Sequence, residues 1–164
     1  MMKTQGERQD PALDVIDRAI LAAISENADI TNKALAHRLG LAESTCAYRL
    51  RALRDSGVVQ ASRVRLNYAA LGYPLQAVIK VKLGSHSRQA VSKLYDDLVR
   101  TPGVLQVFHV AGGDDFLVHV AVENAQALRD MVLQHITVHR VVQQTETQLV
   151  FELRDGVGVA GPQT

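Results

Sequence analysis

Seven basic side chains crowd one stretch of this chain: Lys33, Arg38, Arg49, Arg51, Arg54, Arg63 and Arg65. Between residues 33 and 65 only Glu43 and Asp55 oppose them, a local excess of five positive charges (seven minus two). Over the whole chain 18 basic residues meet 17 acidic ones, so net charge says nothing about partners. Distribution does, because phosphate is neutralised locally. Ser44, Thr45 and Tyr48 lie among the basic residues. Their hydroxyls can donate to and accept from base edges, while arginines and lysines suit phosphates and guanines. The chemistry open to this cluster is recognition of double-stranded DNA.

The other chemistry-bearing residues are scattered. Six histidines (His37, His86, His109, His119, His135 and His139) invite a metal or catalytic site. His109 and His119 are candidates for cross-strand neighbours, and His135 and His139 would share a helix face if the helix ran that far. No cysteine pair or compact acid-histidine motif completes such a site, so no metal is expected. The single cysteine, Cys46, allows no internal disulfide and reads as a small core residue rather than a redox sensor. No nucleophile-base arrangement or phosphate loop is evident.

The elements that position the basic cluster are legible. Thr31 to Gly57, TNKALAHRLGLAESTCAYRLRALRDSG, reads as two short helices joined at Gly40, a helix-turn-helix whose second helix enters the major groove. Thr31 is a cap for the first helix, and Leu35, Ala36 and Leu39 face inward at helical spacing. Gly40 suits a left-handed helix end, and Leu41 returns the chain to the core. In the second helix Cys46, Leu50 and Leu53 form the inner stripe. At about 100° per residue, Ser44, Tyr48 and Arg51 point the opposite way, with Thr45, Ala47 and Arg49 flanking them. A preceding helix is marked by Leu13, Ile16, Ile20, Leu21 and Ile24, with Asp14 as cap and Asp17 as the matching acid three residues on. Ser44, Thr45 and Tyr48 would read bases, with Arg49 and Arg51 on bases or phosphate, and Lys33, Arg38, Arg54, Arg63 and Arg65 are candidates for backbone positioning.

The character of the chain changes near residue 66. Val58 to Leu66 reads as an extended linker strand, followed by a loop at Gly72, Tyr73 and Pro74. Gln76–Leu83 alternates as a strand, and Arg88–Arg100 is helical and closed by Pro102 and Gly103. Val104–Ala111 and Phe116–Val122 are strands around the turn Gly112-Gly113-Asp114-Asp115. Ala125–Ile136 is a helix, and Val138–Leu153 a long last strand. Strand, helix, strand, strand, helix, strand is the order of a ferredoxin-like α+β sandwich. Helices on one face leave the other to be covered, which points to dimerisation. The expected organisation is an arm at 1–12, a winged-helix-like helix-turn-helix domain at 13–59, a linker strand and loop at 60–74, a ferredoxin-like oligomerisation domain at 75–153, to which the resemblance below adds effector binding, and a mobile tail at 154–164. Among the 164 residues, 47% of them hydrophobic, there is enough apolar material for packed cores but no run of about 18 apolar residues. The polar start MMKTQGERQDP lacks a secretory core, so a soluble cytoplasmic protein without a membrane span is expected.

In this order the pieces resemble the Lrp/AsnC (feast/famine) family of transcription regulators. The resemblance rests on LDVIDRAIL at 13–21, LAHRLGLAEST at 35–45, RLRALRDSGVV at 49–59, ALG at 70–72, AGGDDFLVHV at 111–120 and Thr147. It implies sheet-to-sheet dimers that assemble into tetramers or octamers, pseudo-palindromic operators, and a metabolite effector, most often a free amino acid. It implies no cofactor. The effector site would be Gly112, Gly113, Asp114 and Asp115, between the sheet of one dimer and elements of the next. Glycines leave backbone amides open to a carboxylate and an acid can pair with an ammonium, although the same residues are ordinary turn formers. Two positions depart from the family pattern: Ala42 stands where a serine caps the recognition helix, and Asp114 where an aromatic residue is usual. Some proteins of this layout resemble siroheme decarboxylases, so a tetrapyrrole enzyme is one alternative, and a sensor acting through protein partners is another.

Overall fold

The computed structural model describes residues 13–84 and 87–159, which form two compact units. The arm at 1–12, His86 and residues 160–164 lie outside the described residues. One unit holds residues up to Val64 together with those from Asp155; the other is Arg65–Arg154. The boundary thus falls inside the stretch read as a linker.

The first unit is three helices, α1 (Val15–Glu26), α2 (Asn32–Leu39) and α3 (Glu43–Asp55). Helix α1 starts at a reciprocal capping box: Asp14 Oδ1 accepts from the Asp17 amide at 2.8 Å, and Asp17 Oδ2 accepts from the Asp14 amide at 3.3 Å. Helix α2 starts at Thr31, whose hydroxyl accepts from the Ala34 amide. It stops at Gly40, where φ is +64° and the Leu41 amide reaches back to the Ala36 carbonyl. Ile20, Ala23, Leu35, Ala36, Cys46 and Leu53 close the core, with Ile16, Leu39 and Leu50 packed against it. Burial raises the Cys46 thiol above its ordinary pKa, as fits a core residue.

The second unit is a four-stranded antiparallel sheet: β1 (Leu75–Leu83), β2 (Val104–His109), β3 (Phe116–Val122) and β4 (Val142–Leu149), in the order β2-β3-β1-β4. Helices α4 (Arg88–Arg100) and α5 (Ala125–Met131) follow β1 and β3, giving the ferredoxin-like order read from the sequence. Alternation sets the core: Ala77, Ile79 and Val81 from β1 and Phe116, Val118 and Val120 from β3 meet Leu94, Leu98, Leu128 and Met131 from the helices. The opposite face carries Val78, Lys80 and Lys82 beside Leu117 and His119, with Phe108 on β2 and Glu146 on β4. It mixes apolar and charged side chains.

Four sequence expectations change. Residues 58–66 form no strand; Val64 and Leu66 are exposed, and alternation alone cannot make a strand without a neighbour to bond. The last strand begins only at Val142, after turns at Thr137 and His139, and ends at Leu149 rather than Leu153. Its partner β1 begins at Leu75, so beyond the bond from the Val150 amide to the Gln76 carbonyl there is no ladder to join, and Phe151 is 97% exposed. Strand β2 ends at His109, two residues early. The helix from Ala125 widens into a five-residue π turn, Val132–Ile136.

Candidate DNA-binding and effector sites

Helix α3 presents the residues that spacing assigned to DNA. Ser44, Thr45, Arg51 and Arg54 are exposed, and Tyr48 is 75% exposed, a large ring left in solvent. Ser44, Tyr48 and Arg51 share a face opposite the buried Cys46 and Leu53. Ala42 holds the N-cap position with no side-chain hydrogen bond, as its apolar side chain dictates. The Asn32 side-chain amide instead ties the start of α2 to the Glu43 carbonyl at 3.0 Å. Lys33 on α2 and Arg63 beyond α3 are exposed. Arg38 is exposed too, but its guanidinium already bonds Glu26 at 2.6 Å.

Arg49 departs from its expected place. Its Nη1 lies 2.6 Å from Asp14 Oδ2 and 2.9 Å from Asp17 Oδ1, the side chain only 27% exposed. It turns toward α1, not toward the face of Tyr48 and Arg51. Helical spacing placed it on the flank, and two acids 32 and 35 residues away decide which way it leans. The Asp17 amide and Arg49 hold the Asp14 carboxyl below its ordinary pKa, and the two acids hold the guanidinium above its own.

The turn between β2 and β3 brings the second set of residues together. Gly112 adopts φ +145°, and a Cβ at Gly112 or Gly113 would meet no heavy atom within 4 Å, so both glycines face open space. Asp115 is anchored through its backbone to Val81 and Val110, and its Oδ2 accepts the Leu83 amide at 2.7 Å. Asp114 pairs with Lys80 at 3.2 Å, and Lys80 also lies 3.4 Å from Glu146 across the sheet. Asp114 first and Glu146 second raise the Lys80 pKa, so the ammonium stays charged. Lys80 and Glu146 were not singled out from sequence. The outward alternation of β1 was the only signal for Lys80, and strand register brings Glu146 of β4 beside it. A groove of about 750 Å³, lined by Arg88, Val91, Ser92, Tyr95, His109 and Phe116, opens where this hairpin meets α4.

Among the described residues the histidines do not converge. His109 pairs with Phe116 and stacks on its ring at 4.6 Å, while His119 pairs with Gln106, so the two are not the cross-strand neighbours expected. His119 is buried, with Nε2 3.0 Å from Gln76 Oε1, and His139 leans toward Asp97. Among the described residues no group of three or more histidine, cysteine or acidic side chains could hold a metal, and no helix is long and apolar enough to cross a membrane.

Comparison with known proteins agrees with this geometry. Residues 13–60 match the winged helix-turn-helix DNA-binding family, and residues 76–154 match the Lrp/AsnC ligand binding domain. The chain is 40% identical over 140 residues to the HTH-type transcriptional regulator AldR of Mycolicibacterium smegmatis, covering 85% of this chain and 82% of that one. It is 34% identical over 137 residues to the leucine-responsive regulatory protein of Rhizobium meliloti, covering 84% and 88%. The crystal structure of a Neisseria meningitidis transcriptional regulator in complex with L-Met superposes with a TM-score of 0.81 at 28% identity, over 88% of this chain and 93% of that one. These relatives are named as regulators, which favours the regulator reading over the tetrapyrrole-enzyme alternative. A DNA-binding helix-turn-helix joined to a ligand-binding α+β domain makes this chain a transcriptional regulator, and it belongs to the Lrp/AsnC family.

Proposed function

We propose that this regulator binds pseudo-palindromic operators as a homo-oligomer and senses a free amino acid at the Gly112–Asp115 turn. The observation that carries the effector reading is the meeting of both required charges around open backbone. Lys80 and the glycine amides can face a carboxylate, while Asp114 and Asp115 can face an ammonium. The neisserial relative holds L-Met, a ligand of this chemical class.

For DNA, Ser44, Thr45 and Tyr48 read base edges, and Arg51 contacts a base or phosphate. Lys33, Arg38 and Arg54 position the backbone, Arg38 by exchanging Glu26 for phosphate. Two-fold symmetry sets two such helices about one DNA turn apart, which is why a palindrome fits. The uncovered sheet face, with Val78, Leu117 and Phe108 beside the Lys80–Glu146 pair, supplies the dimer surface; dimers then build a tetramer or octamer in the cytoplasm. The test titrates each of the 20 common amino acids into protein bound to labelled operator DNA. One or a few should shift the DNA affinity at least about fivefold, the lower range of allosteric coupling. No shift with any of them refutes the amino-acid reading.

A further inference from the structure

The capping box of α1 does more than start a helix. Each of its two carboxylates uses one oxygen for the box, Asp14 Oδ1 on the Asp17 amide and Asp17 Oδ2 on the Asp14 amide. The other oxygen of each, Asp14 Oδ2 and Asp17 Oδ1, goes to one atom, Nη1 of Arg49. All four carboxylate oxygens are therefore engaged, and a single guanidinium nitrogen joins the first turn of α1 to the middle of α3. Asp17 and Arg49 are sheltered, 18% and 27% exposed, so solvent screens this bridge less than a surface pair. We propose that Arg49 is a positioning residue: it fixes the recognition helix against α1, so that Ser44, Tyr48 and Arg51 meet the groove at one angle, and it does not itself contact DNA.

Charge favours this over a phosphate contact. Two carboxylates against one guanidinium leave the cluster with a net negative charge, which repels a phosphate brought to it. Orientation matters because base-edge hydrogen bonds are short and directional, whereas phosphate contacts tolerate displacement. Losing the bridge should therefore cost specific binding and spare non-specific binding.

The experiment compares Arg49→Gln, Arg49→Lys and Asp14→Asn/Asp17→Asn in the full chain, on operator and on shuffled DNA, across a salt series. Arg49→Gln should lower the ratio of specific to non-specific affinity by roughly tenfold, within the range for coupled charge networks. The slope of log affinity against log salt should not change, whereas a lost phosphate contact would reduce it by about 0.9. Arg49→Lys should largely rescue selectivity, because an ammonium can sit between the same two oxygens; a forked contact to a base would not survive that change. The double asparagine variant discriminates most sharply. Removing two negative charges from a DNA-binding surface should tighten binding if they merely repel phosphate, but weaken specific binding if they hold α3 in place. Tighter binding in that variant, a salt slope reduced by about one in Arg49→Gln, or no rescue by lysine overturns the proposal. So does an equal fall of both affinities together with melting temperature, which is the mark of lost stability alone. Should Arg49→Gln lose its helical far-ultraviolet signal, Arg49→Lys and Asp17→Asn keep part of the bridge and decide the question on the same readouts.

Discussion

Asp115 holds the Leu83 amide and is proposed to meet an effector ammonium, and one pair of substitutions can separate the two. Its Oδ2 accepts the Leu83 amide at 2.7 Å, and Leu83 is buried at 6% exposure. Asp115→Ala leaves that amide without an acceptor, which costs about 1–3 kcal/mol. For a domain of this size each kcal/mol lowers the melting temperature by roughly 4–8 °C. Asp115→Asn keeps an oxygen in place and should cost about 1 kcal/mol or less, while removing the charge that an effector ammonium would meet. A charge-assisted hydrogen bond contributes about 1.5–3 kcal/mol, so the asparagine variant should need roughly ten to a hundred times more amino acid for the same response. The assay is anisotropy of labelled operator DNA titrated with effector, run beside thermal unfolding of the same samples. An asparagine variant that responds at the wild-type concentration would falsify the assignment of Asp115 as ammonium partner. An alanine variant as stable as the parent would show that the Leu83 amide is not shielded from water.

Ala42→Ser supplies the missing cap of α3 and should stabilise the first unit by about 1 kcal/mol; an unmoved urea midpoint would mean those amides are already satisfied. Gly103 has φ +85°, and a Cβ there would lie 3.0 Å from the Ala121 carbonyl oxygen, so Gly103→Ala should cost about 2–3 kcal/mol. Gly112→Ala meets open space and should lose only the backbone part; equal losses in urea unfolding would contradict the packing described around Gly103. Burial lowers the His119 pKa below its ordinary 6.5, so the unfolded chain binds the proton more readily. Its contribution to stability is complete above about pH 6.5 and is lost as pH falls below that value. Unfolding free energies between pH 7 and pH 5 should therefore decline less steeply in His119→Asn, and an identical decline would exclude His119 as a source.

What could be read in the sequence was whatever depends on near neighbours. Asp14 and Asp17, three residues apart, announced the start of α1, and Gly40 the end of α2. Alternation from Gln76 and the turn at Gly112–Asp115 gave the strands that flank the residues proposed for the effector. What failed depends on distant partners. The direction of Arg49 was settled by acids more than thirty residues away. The pairing of His109 with Phe116 and of His119 with Gln106 is a matter of register, with an irregularity between Val104 and Gln106 that spacing cannot reveal. Residues 58–66 and 150–153 alternate like strands and have no neighbour to make them so. The π turn at Val132–Ile136 keeps the apolar spacing of an α-helix while changing its hydrogen bonds.

Selective DNA binding through α3, modulated by a small molecule, can be read in a single titration. Fluorescence anisotropy of the full chain is recorded on DNA from upstream of its own gene and on a shuffled duplex, at physiological salt, with and without pooled amino acids. The expected result is a preference of at least about a thousandfold for the native sequence, the lower end for specific recognition, and a shift of that affinity by the pool. Equal, weak binding to both duplexes in either condition, repeated on operators of related regulators, would contradict regulated DNA binding through α3.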